Sequence, residues 1–225
     1  MRFKILVALI FAFLFSCNEK PVEAPKETVK IKPISFLPFQ KISFDDLSAF
    51  KEVSENWKVA KSVYVNRSDE NSLSSNEGTG VLVNNPSEGK KEHLFTTLEH
   101  GDIELEVDVM MPKGSNSGIY FQGRYEVQLF DSWGVKDPYH GDMGGIYQRW
   151  DDTRGEGKEG FEGTPPKINA AKAPGLWQHF KILFHAPKFD SSNNKIENAW
   201  FEKVWLNGVL IQENVQLSGP TRAAK

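Results

Sequence analysis

The stretch Gly114–Ile146, GSNSGIYFQGRYEVQLFDSWGVKDPYHGDMGGI, concentrates the side chains able to hold or transform a polar ligand. Alternation within Arg124–Asp131 puts Arg124, Glu126 and Gln128 on one face and Tyr125, Val127 and Leu129 on the other. A cation, a carboxylate and an amide in one row form a polar platform. Such groups bond the hydroxyls of a sugar, and aromatic faces cover its C–H surface. Tyr120 and Gln122 on the preceding strand extend the row unless Gly123 shifts the parity. A plain solvated sheet face is the competing reading of the same pattern. The loop Ser132–Gly145 follows, with Trp133, Asp137, Tyr139, His140 and Asp142 among its glycines, and is long enough to wall a site.

Other chemistries have no signature. There is no nucleophile-elbow serine motif, no zinc-binding His-Glu-x-x-His and no phosphate-cradling glycine loop. Asp190–Lys195 lacks the glycine and closing glutamate of a calcium loop and is expected to be a turn. His93 and His100 are too far apart for one strand to present both to a metal, and each is expected to be a surface or satisfied histidine. The charge balance, 27 Lys+Arg against 30 Asp+Glu, excludes the basic footprint of a nucleic-acid binder. One cysteine excludes an internal disulfide, a Cys-rich zinc site and an iron–sulfur cluster.

The elements that must position the platform are strands. Ile103, Leu105, Val107, Val109 and Met111 alternate with mostly acidic residues, and Phe180, Ile182 and Phe184 alternate with His179, Lys181 and Leu183. Phe201–Leu206, the turn Asn207-Gly208 and Val209–Gln212 predict a hairpin. Weaker strands are expected at Trp57–Val65 and Gly80–Asn84. Asp45–Phe50 looks briefly helical, with Ser43 or Asp45 as cap. Without βαβ alternation or an internal period, an all-β antiparallel sandwich fits best. Trp57, Trp177 and Trp205 are expected in its core, whereas Trp133 and Trp150 are candidates to stack a sugar.

Ahead of the strands lies an address. Residues 1–16 join Arg2 and Lys4 to an apolar run too short to span a bilayer, as in a secretory signal peptide. The run ends at Leu14-Phe15-Ser16-Cys17, which resembles a bacterial lipobox, so Cys17 is the expected lipidation site. Residues 17–38 carry four prolines among scattered Lys and Glu, a tether that would stand residues 39–225 off a membrane. The expected location is the cell envelope, with the membrane as a partner through lipid.

The run Asn116-Ser-Gly-Ile-Tyr-Phe-Gln-Gly-Arg-Tyr-Glu-Val-Gln-Leu-Phe-Asp-Ser132 resembles the central motif of the 3-keto-disaccharide hydrolase domain family. Further matches are His93-Leu-Phe-Thr96, Gly141-Asp142, Gly145-Ile-Tyr147, Pro174-Gly-Leu-Trp177 and Asn207-Gly-Val-Leu-Ile211 through Ser218-Gly219-Pro220-Thr221. The resemblance implies a concanavalin-like jelly-roll β-sandwich and activity on 3-keto-glycosides. Family members continue past the Gly-Pro-Thr segment, so it also implies that C-terminal strands are missing from residues 39–225.

A substrate of that kind sets its own requirements. A carbonyl at C3 acidifies the C2 proton and leaves the C1 substituent β to it, so elimination needs a base near C2 and donors near the C3 oxygen. On the resemblance, Glu126 is the catalytic carboxylate, with Asp131 or Asp142 as partner, although Asp131 has the opposite parity. Arg124 and Gln128 bind or polarise, Asn116 and Asn169 are secondary binding candidates, and His140 is a candidate acid or metal ligand. No cofactor is named by any motif, and a divalent metal is left open. Two alternatives stand beside this reading. One is a conventional glycoside hydrolase with carboxylates about 5–9 Å apart, and the other is a non-catalytic saccharide-binding lipoprotein.

Overall fold

The alternation in Ile103–Val109 and Gln178–His185 builds the four-stranded sheet, the largest among the described residues, in the computed structural model, which describes residues 38–224. The signal peptide, Cys17 and nearly all of the tether lie outside the described residues. Among the described residues, fourteen strands follow in order. They are β1 (Phe50–Lys51), β2 (Trp57–Tyr64), β3 (Ser74–Asn84), β4 (Phe95–Thr96), β5 (Ile103–Val109), β6 (Asn116–Phe121) and β7 (Tyr125–Phe130). After them come β8 (Arg149–Trp150), β9 (Gly160–Phe161), β10 (Gln178–His185), β11 (Lys188–Phe189), β12 (Lys195–Glu197), β13 (Ala199–Leu206) and β14 (Val209–Leu217). Lys41–Lys225 forms one unit. No helix among the described residues is long and apolar enough to cross a membrane.

The first sheet runs β14-β13-β10-β5, each pair antiparallel. Its register sets Val107, Phe180 and Leu206 side by side, then Leu105, Ile182 and Val204. These inward residues bury one face, and Glu104, Glu106 and Asp108 stay wet on the other. Asn207 and Gly208 both take positive φ (54° and 82°), the geometry of the tight hairpin turn expected there.

The second layer starts from the β6–β7 hairpin. Gly144–Tyr147 adds to it without being a full strand: Gln128 N–H donates to Gly145 O, Gly144 N–H to Gln128 O, and Tyr147 N–H to Glu126 O. Ile146 then bridges to Thr164. Phe121, Tyr125, Val127, Leu129 and Ile146 from this layer meet Phe180, Phe184, Phe201 and Ile211 from the other. Phe121 lies 4.9 Å from Phe184 and 5.3 Å from Phe201, ring to ring, at the centre of this core. The architecture is therefore an all-β, largely antiparallel jelly-roll sandwich.

Two local expectations are corrected. Asp45–Phe50 is not helical: it holds a turn closed by Phe50 N–H to Leu47 O, and then enters β1. Ser43, Asp45, Asp46 and Ser48 bond one another and the nearby backbone, the competition that disfavours a helix in such sequences. Trp177 is exposed rather than core, just ahead of β10. Trp57 and Trp205 are only half-buried. Val204 and Leu206 take the inward positions of β13, which turns Trp205 outward, where Lys203 lies over its ring.

Candidate active site

Register places Tyr120 of β6 directly opposite Glu126 of β7. The phenol donates to Glu126 Oε2 at 2.6 Å, and the phenol oxygen also lies 3.1 Å from the Arg222 carbonyl oxygen. Glu126 is only 7% exposed. Burial pushes its pKa up to about 7, against the opposing pull of the Tyr120 hydrogen bond. The Tyr120 pKa is raised as well, first by burial and then by the carboxylate beside it, so the phenol stays protonated.

One phenolic proton cannot serve two acceptors fully. With Glu126 ionised, Tyr120 donates to the carboxylate. With Glu126 protonated, the carboxyl can donate to the phenol oxygen and free the phenol proton for the Arg222 carbonyl. The pair is thus built to hold either protonation state near neutral pH.

Gly118 makes the arrangement possible. A Cβ there would lie 2.1 Å from Glu126 Oε1 and 2.8 Å from its Cδ. Around the pair, His93 meets the Tyr120 ring edge-on with centroids 6.0 Å apart. The Arg222 N–H donates to Gln148 O, and its guanidinium sits 3.7 Å from the Trp150 ring centroid. His140 packs against Tyr139 and Tyr147, with ring separations of 5.2 and 5.6 Å. Burial lowers its pKa, opposed in part by Asp142, so the imidazole is neutral at pH 7.

The other predicted site residues have hydrogen-bond partners of their own or stand exposed. Glu126 and Gln128 share a face as expected, but that face is buried, not an open platform. Gln128 donates to Asn116 Oδ1 and to Gly141 O, pinning the loop. Asp142 accepts from Ser132 Oγ and Tyr139 N–H, each at 2.9 Å. Asp131 accepts from the N–H groups of Gly114 and Trp133. Asn169 donates to the Ser132 and Val135 carbonyls. Neither aspartate is brought against the Glu126–Tyr120 pair by these bonds. Gln122, at φ 54°, leaves the row in the hairpin turn and bonds His100. Arg124 stands exposed at the end of that turn, and Trp133 is 65% exposed on the loop.

Composition and alternation gave no weight to Gly118, His93, Tyr147 or Arg222. His93 and Tyr147 lay in motifs that carry the family resemblance, and Gly118 had a further signal: a glycine inside a strand marks a close approach, here by a carboxylate. Among the described residues, no three His, Cys, Asp or Glu side chains gather as a metal cage.

A jelly-roll sandwich with a largely buried carboxyl–phenol pair on its β6–β7 hairpin is the class that fold and geometry define. Residues 43–225 match the 3-keto-alpha-glucoside-1,2-lyase-like domain, and the chain belongs to that family. It is also similar to a solved structure from Parabacteroides distasonis, provisionally described as a glycosyl hydrolase. The two are 26% identical with a TM-score of 0.55, over 80% of this chain and 67% of that one. No curated protein matches the chain.

Proposed function

We propose that this domain cleaves 3-keto-glycosides by base-promoted elimination, with Glu126 as base and Tyr120 holding its carboxyl. Glu126 carries the reading: a nearly buried carboxyl with a pKa near 7, bonded to a neutral phenol, is tuned for proton transfer at neutral pH. Family membership supplies the substrate class.

Ionised Glu126 takes the proton from C2 of the 3-keto ring. The C–H electron pair passes into an enolate with charge on the C3 oxygen. It then returns to form the C1=C2 bond as the C1–O bond breaks. The departing oxygen gains a proton from a general acid or from water. Water adds at C1 of the enone, and a proton returns to C2, yielding the free 3-keto sugar. Arg124, exposed at the hairpin turn, is available to steady the C3 oxygen, and neutral His140 is the candidate second proton carrier. Asp131, Asp142 and Asn169 act as fasteners of the loop rather than as catalytic groups. At the other end of the chain, Cys17 is the lipid attachment that holds the domain at the cell envelope.

The test is release of aglycone from a 3-keto-glucoside and from the unoxidised glucoside. Cleavage of the keto substrate alone, reduced on the order of 10²–10⁴-fold by Glu126→Gln, is the expected result. Near-normal turnover by that variant removes Glu126 from the chemistry. Sugar binding without release from either compound removes catalysis and leaves a saccharide-binding protein.

A further inference from the structure

His93 joins the Tyr120–Glu126 pair to a second feature. Its ring, edge-on to Tyr120, also lines an open cleft of about 330 Å³ together with Glu52, Glu92 and Phe95. The cleft is built into the fold. The β1–β4 pairing sets Lys51 opposite Phe95, which brings the next residue, Glu52, to the cleft. The Glu92 carbonyl is fixed by Asn56 Nδ2 at 3.1 Å and Trp57 Nε1 at 2.8 Å. The Phe95 ring lies 3.6 Å from where a Cβ on Gly123 would stand. Phe95 therefore packs on the turn of the very hairpin that carries Tyr120 and Glu126.

The chemistry of the lining is specific. Phe95 is 38% exposed, an accessible aromatic face. Neither Glu52 nor Glu92 has an ion-pair partner among the described residues, and the nearby cations Lys51 and Lys90 pair with Glu99 and Glu55 instead. Two free carboxylates beside an aromatic ring suit a ring that offers neighbouring hydroxyls and a C–H face. The volume is of the order needed for one pyranose, at the lower end of small-molecule sites.

We infer that this cleft seats the departing half of a two-ring substrate, and that the departing ring is an uncharged saccharide. The inference rests on the reading of Glu126 as the base acting on the first ring. Glu52 and Glu92 accept from hydroxyls of the second ring, Phe95 covers its C–H face, and both carboxylates repel a uronic acid or a sulfated sugar.

Binding, measured apart from turnover, tests it. Calorimetric titration of the full chain carrying Glu126→Gln uses three probes: methyl 3-keto-glucoside, 3-keto-glucosyl-glucose, and the same disaccharide with glucuronic acid as the second ring. The neutral disaccharide should bind about tenfold tighter than the methyl glycoside, an increment of one good contact set. Adding Phe95→Ala should erase that advantage while leaving the methyl glycoside unchanged. Adding Glu92→Gln should narrow the gap between neutral and acidic disaccharides. Equal affinity for one ring and two, equal weakening of both by Phe95→Ala, or no binding of either neutral probe overturns the cleft. Selective disaccharide binding by a parent protein that cleaves nothing upholds the cleft and removes the catalytic reading instead.

Discussion

At the scale of single residues, the role proposed for Glu126 would couple activity to stability. A base must be ionised, so kcat/KM on a 3-keto-glycoside should rise with pH and level off above about 7. Tyr120→Phe deletes the hydrogen bond that lowers the Glu126 pKa, so the inflection should move to higher pH as the plateau falls. A pH–rate profile that stays in place separates a structural Tyr120 from one that tunes the carboxyl. The stability effect has the opposite sense. Folding raises the Glu126 pKa above its ordinary 4.5, which favours the protonated folded state. Its contribution is complete below pH 4.5 and is lost as pH climbs through 7. Ionising the buried carboxyl then costs about 3 kcal/mol. Glu126→Gln should therefore be the more stable protein at pH 8 and should show little gain at pH 4.5. Urea unfolding at both values checks this, and an equal shift at both refutes it. A buried carboxyl that destabilises its own fold at neutral pH is what the proposed chemistry would require at the expense of stability.

At the scale of elements, the β6–β7 hairpin works because its two strands are unequal. β7 supplies the carboxyl, and β6 supplies the phenol at one position and empty space at the other, through Gly118. Gly118→Ala has no backbone objection, since its φ is not left-handed, so its cost is purely the collision with Glu126. It should destabilise the domain by roughly 1–3 kcal/mol and remove most turnover. Thermal melting and the aglycone assay on the same preparation test both halves. A fully active Gly118→Ala protein would mean the carboxyl does not occupy that space during turnover. The loop after β7 is anchored at Gln128, Asp142 and Asn169, three polar residues whose bonds run mainly to backbone. Their residue types alone matched those of catalytic and binding groups. Their partners show what residue type alone does not, that each fastens the loop.

At the scale of the whole molecule, the sandwich separates two tasks. The four-stranded sheet provides most of the buried aliphatic and aromatic core, and the smaller layer carries the polar pair. Gln212, buried on the large sheet, links them by donating to the carbonyls of Gly144 and Thr164. The proposed lipid anchor is a property of the full chain. Cys17→Ser should move the protein from the membrane fraction to the soluble fraction and abolish incorporation of a labelled fatty acid. Unchanged labelling would remove Cys17 from that role.

The sequence by itself determined what repeats with a short period. Alternation in Ile103–Val109 and Gln178–His185, and the Asn207-Gly208 turn, specify strands and a hairpin because side-chain direction and turn dihedrals are local properties. The motif from Asn116 to Ser132 likewise led to the family. Tertiary structure decided the partners and the burial of the polar groups. Asp131, Asp142, Gln128 and Asn169 are claimed by contacts across the loop. Glu126 is paired with Tyr120, tuned by burial and given room by a glycine on the neighbouring strand. Burial and hydrogen-bond partnership depend on neighbours distant in sequence, and they set the pKa of Glu126.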